Sequence, residues 1–74
     1  MKSIRRYYRI DRRQIAFLKF IFEAYDGIAT LSTVDSRQGV IALAIPPGCE
    51  SDVDLLLADL GRQIRIETAR WDDG

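Results

Sequence analysis

The chain has 74 residues, a single cysteine, no histidine and no asparagine, and its 11 basic and 11 acidic residues give a formal net charge of zero. This composition excludes an intramolecular disulfide. It also excludes a structural zinc site, which takes about four Cys or His ligands, and it withholds histidine, the usual general base near neutral pH.

In chain order, "SIRRYYRI" (3–10) alternates as a half-buried strand, with Ile4, Tyr8 and Ile10 on one face and Arg5, Tyr7 and Arg9 on the other. Arg6 interrupts the apolar face and is expected near its edge. Asp11, with Gln14 three residues on, reads as the capping box of a first helix. Ile15, Leu18, Ile21, Phe22 and Tyr25 give that helix its apolar face. Phe17 and Phe20 fall off the stripe, and either widen the core or contact another subunit. Gly27 is the expected left-handed residue that ends the helix.

"IATLSTV" (28–34) alternates as a second strand, "DSRQG" (35–39) is a hairpin loop with Gly39 at positive φ, and "VIALAI" (40–45) is a strand apolar on both faces. Pro47-Gly48 fits the centre of a type II turn. Ser51, followed by Asp54, is the expected cap of a second helix along Val53, Leu56, Leu57, Leu60 and Ile64, and Gly61 weakens or ends it. "RIETARW" (65–71) is a last strand with Ile66 and Thr68 on one side, and "DDG" is a frayed tail.

The order βαββαβ predicts a single α+β domain over residues 1–74. It is a ferredoxin-like sandwich, with a four-stranded antiparallel sheet, its first and third strands central, and both helices on one face. The other face is open. Either register of 40–45 would leave an apolar band there in the monomer, so a homo-oligomer through the open sheet face or the sheet edges is expected. A domain this small buries only about 60% of its unfolded surface, which also favours assembly.

Charge is unevenly placed. Residues 1–19 hold seven basic residues against one acidic, and residues 20–74 hold four against ten. That suits local anion binding or pairing of unlike patches, not a broad nucleic-acid surface. "RIDRR" concentrates the anomaly: Arg12 and Arg13 in the first turn of a helix oppose its dipole. An anion at that N-terminus would compensate. Arg9, Asp11, Arg12 and Arg13 are therefore the candidate binding residues for a small anionic metabolite, with plain solvation, or pairing to Asp11 or to acids on a neighbour, as the structural alternative. Asp52, Asp54 and Asp59 read as structural charge.

Two other classes deserve a test. A redox or catalytic role for Cys49 would need an activated thiol, yet no His or cation adjoins it in sequence. A single-stranded RNA platform of Arg5, Tyr7 and Arg9 lacks aromatic partners on the third strand. No cofactor, metal or membrane span is expected. The N-terminus has no apolar stretch like that of a signal peptide, and one unpaired cysteine suits a reducing compartment, so a cytoplasmic location is expected.

Two resemblances extend this reading. "IDRRQIAFLKFIFEAYDGIATLST" resembles the ACT regulatory domain, in which a strand leads through Asp-Arg into a helix, a glycine and a Ser/Thr-rich strand. That resemblance implies a non-catalytic regulatory module that binds amino acids at subunit interfaces, although Arg13 and Gln14 stand where ACT domains usually have Pro-Gly. "FLKFIFEAYDG", "ATLSTVD" and "IPPG" resemble a family of short bacterial proteins known only as a domain of unknown function, number 4911. This implies a compact ferredoxin-like domain and no particular activity.

Overall fold

Residues 4–25 and 27–71 are described by a computed structural model; the tail at 72–74 lies outside them. Alternating residues build the central strand β1 (Ile4–Ile10). A 3-10 turn (Arg12–Gln14) then leads into helix α1 (Ile15–Ala24). Strands β2 (Thr30–Asp35) and β3 (Val40–Ile45) form a hairpin, helix α2 (Glu50–Leu60) follows, and β4 (Ile66–Thr68) closes the sheet. The sheet is antiparallel in the order β2-β3-β1-β4. This is the ferredoxin-like α+β arrangement, with β1 and β3 central as the element order predicts.

Register explains which residues are buried. Ile41, Leu43 and Ile45 of β3 lie opposite Tyr8, Arg6 and Ile4 of β1. With Leu31 and Ile66 they face the helices, and Leu18, Phe22, Val53 and Leu60 complete this core. Arg6 occupies the predicted edge position, beyond the end of the short β4 ladder, and pairs with Asp54 of α2 at 2.6 Å. Hydrogen bonds to Tyr8 and then to Asp54 raise the guanidinium's affinity for its proton. The charged head thus finds partners at the rim of an apolar layer.

The opposite face corrects an expectation. Val40 and Ala42 are only 1% and 2% exposed, and Ala44 is half-buried. Among the described residues no broad apolar band is open to solvent there. The small residues of β3 lie opposite long ones, Arg9 against Val40, Tyr7 against Ala42 and Arg5 against Ala44. The Arg5 guanidinium itself lies over the Tyr7 ring, 5.7 Å from its centroid. Long neighbours leaning over small ones bury them without a further layer.

Local boundaries also shift. The last strand is three residues long, not seven, although the Ala69 N–H still bonds to the Tyr7 carbonyl. Cys49, not Ser51, is the cap residue of α2, and its side chain makes no capping bond. Glu50 instead reaches back to accept from the Gly48 N–H. Pro46 and Cys49 close the turn with Pro47-Gly48 at its centre, and Gly48 has φ +90, as a type II turn requires. Gly39, at φ +71, packs so tightly against β1 that a Cβ would collide with the Ile10 carbonyl.

Candidate functional site

The β1–α1 turn is built around Asp11. Its Oδ1 accepts from the Arg13 N–H at 2.9 Å and from the Arg13 Nε at 3.2 Å, and its Oδ2 accepts from a terminal guanidinium nitrogen at 3.0 Å. The Gln14 N–H bonds to the Asp11 carbonyl. The capping box is thus half-formed: Asp11 caps a 3-10 turn, with no reciprocal bond from Gln14 among the described residues. The Arg13 side chain, followed by its backbone N–H, holds the Asp11 carboxyl below the usual range. Asp11 in turn holds Arg13 charged. The Arg13 N–H at the start of this turn therefore already has an anion, and it is an internal one.

The four candidate residues do not converge. Arg9 and Asp11 line a shallow hollow of about 390 Å³ with Gln38, Arg65 and Glu67. Arg12 and Arg13 are not part of its lining. Arg65 is itself paired with Glu67 at 2.7 Å. The sequence reading missed Gln38, Arg65 and Glu67; once β4 is paired with β1, register places Glu67 directly opposite Arg9.

Arg5, Tyr7 and Arg9 do share the open face, as alternation predicts, with Val40, Ala42 and Ala44 beside them on β3. Trp71 is half-buried at the end of that face, beside Tyr7 and Ala69. Cys49 is half-buried against the core, and its thiol lies 3.7 Å from the Gly27 carbonyl, to which it donates. Its packing role is plain: it ties the β3–α2 turn to the segment after α1.

The helix layer carries the feature that sequence reasoning placed elsewhere. Phe17, Phe20, Tyr25 and Leu55 are exposed large apolar residues, with Phe20 at 66% and Leu55 at 71%. Tyr25, Ile28, Leu55 and Leu56 line a groove of about 330 Å³ between α2 and the segment that follows α1, and Asp52 and Asp59 add acidic groups to its lining. At 100° per residue, Phe17 lies on the side of α1 opposite Lys19 and Glu23. Those two residues line a separate cavity at the β2 edge, so Phe17 is on the α2 side and Phe20 on the outer surface. The spacing that set both off the core stripe was the available signal.

No helix among the described residues is long and apolar enough to cross a membrane. A family model described as a domain of unknown function (DUF4911) matches residues 8–64, more than half of the chain, and the chain belongs to that family. No curated protein matches it. No solved structure does either.

Proposed function

We propose that this member of the domain-of-unknown-function family 4911 is a non-catalytic, ACT-like regulatory module that binds protein through its helix layer, in the cytoplasm. The exposure of Phe20 and Leu55 carries this reading. A domain that buries Val40 and Ala42 on its outer sheet face leaves these two larger side chains in water. Apolar groups grouped on one face of a small protein mark interaction surfaces. The element order supports the ACT-like architecture, and the unpaired Cys49 suits a reducing compartment.

A photo-crosslinking amino acid at position 20 tests the surface directly, in the cells that make the protein. It is expected to yield protein adducts, while the same group at Ser32 on the open sheet face yields none. Absence of adducts from position 20 would overturn the reading.

A second reading rests on Arg9 beside Asp11, Gln38 and Arg65 in the hollow at the end of β1. An anionic metabolite there would take charge-assisted hydrogen bonds from Arg9. In a low-salt thermal-shift screen with phosphates, nucleotides and amino acids, a ligand at 100 times its Kd stabilises by about 2.7 kcal/mol. Arg9→Ala is expected to abolish the shift. No shift with any of them disposes of this site.

A further inference from the structure

We infer that the protein engaged by the helix layer is a second copy of this chain, with α1 of each copy laid along α2 of the other. This rests on the reading of the helix layer as a binding surface and names its occupant. Three observations point to self-complementarity. First, Phe17, Phe20 and Ala24 of α1, at spacings of three and four residues, form one exposed stripe that runs from its α2 side to its outer surface. Second, the groove beside α2 offers Leu55, Leu56 and Tyr25 to receive aromatic rings, and Asp52 and Asp59 to meet cations. Within Glu50–Leu60 there are four acidic residues and no basic one, and among the described residues only Asp54 is turned to a cation, Arg6.

Third, each helix carries a charge that opposes its own dipole. Arg12 and Arg13 precede α1 and Asp59 lies in the last turn of α2. The first helix begins and the second ends at the same end of the sheet, because Ile10 and Ile66 are paired partners there. A two-fold axis parallel to the helices lays α1 against α2 of the other copy with those ends together. It brings Arg12 to Asp59 of the other copy twice, and it seats Phe17 and Phe20 over the groove. The four exposed apolar side chains offer on the order of 100 Å² each, about half of the roughly 800 Å² per partner of a standard interface. Helix backbones and the polar rim supply the remainder. Arg12 and Asp59, which oppose their helix dipoles, thereby each acquire an opposite partner, while Arg13 keeps Asp11.

The test is sedimentation or light scattering across the full concentration range of the intact chain. The expected result is a reversible dimer. Phe20→Glu weakens it about 30-fold or more, as for a central anchor. Arg12→Glu and Asp59→Arg each weaken it by about 3- to 10-fold, since the exposed pair occurs twice. Mixing these two variants restores a heterodimer within about 2-fold of the parent, because both contacts again join opposite charges.

Both reversals favour the helix dipole, so neither unfolds the monomer by that route; circular dichroism confirms this. A dimer indifferent to Phe20→Glu, or reversals that fail to rescue each other, would overturn the proposed pairing. A monomer at every concentration would overturn self-association. Position 20 crosslinking to a different protein would then leave the binding-surface reading standing, and crosslinking to nothing would remove both.

Discussion

The two outer surfaces of this molecule invert what their sequences suggest. The open sheet face holds Val40, Ala42 and Ala44, half of the most apolar segment in the chain, and yet Val40 and Ala42 are as buried as the core. The helix layer is built on amphipathic stretches with ordinary polar outer positions, and it displays Phe20 and Leu55. Cross-strand geometry explains the first. A small residue between neighbours about 5 Å away is covered when they are Arg5, Tyr7 and Arg9. Helical geometry explains the second. Neighbours on a helix surface diverge outward, so Phe20 cannot be covered by Ala16, Glu23 or Ala24. Apolar content alone locates neither surface; the size of the adjacent side chains does.

Truncations on the two sides of β3 test this contrast most strongly. Leu43 faces the helices and is fully buried. Leu43→Ala is expected to destabilise by about 2–5 kcal/mol in urea titration, with the cavity adding to the lost transfer energy. Val40 faces the other way. If long side chains bury it within the monomer, Val40→Ala removes roughly two buried methylenes and costs about 1–2 kcal/mol. A change within about 0.5 kcal/mol, the ordinary value for a surface position, would mean that this face is wet and that its burial is lost in solution.

Periodicity carried the fold a long way. Both helices, all four strands, their central-strand order and the type II turn follow from spacing, glycine and proline. Boundaries followed less well, because they depend on partners distant in sequence. The β4 ladder with β1 ends near Thr68 although Arg70 and Trp71 remain compatible with a strand. Ser51 has the chemistry of a cap, but the turn closed by Pro46 and Cys49 starts the helix earlier, and Glu50 takes over the nearby N–H. The candidate site was legible only as a list of charges. Arg9, Arg12 and Arg13 lie within five residues of the chain, but a strand, a 3-10 turn and the hold of Asp11 send them in different directions.

Asp11 offers a smaller and pH-dependent test, on the end shared by the two surfaces. Its carboxyl is held below the usual range in the folded chain by Arg13. A depressed folded value contributes stability that is present above the unfolded value, about 3.9. It is lost as pH falls through the folded value. Asp11→Ala is therefore expected to be less stable than the parent at neutral pH, with the difference shrinking as pH falls below about 4. A difference that stays constant to pH 3 would show that the carboxylate's charge contributes nothing to the turn, and would leave the Arg13 guanidinium to serve an external anion after all.

The smallest effect on folding is expected at Phe20, and there its smallness is the informative part. Phe20→Gln keeps a good helix former and removes a side chain that is mostly in water, so dilute samples should differ by no more than about 0.5 kcal/mol. Concentration separates the two chains. Association that involves only the folded state stabilises it by mass action, so the parent's Tm should climb with protein concentration. The Phe20→Gln Tm should stay flat. A parent whose Tm is also flat would show that exposed Phe20 meets no second copy, while a large loss in the dilute variant would show that the ring is packed within its own chain. Only a small dilute effect joined to a lost concentration dependence fits an aromatic side chain kept outside the core for contact with another molecule.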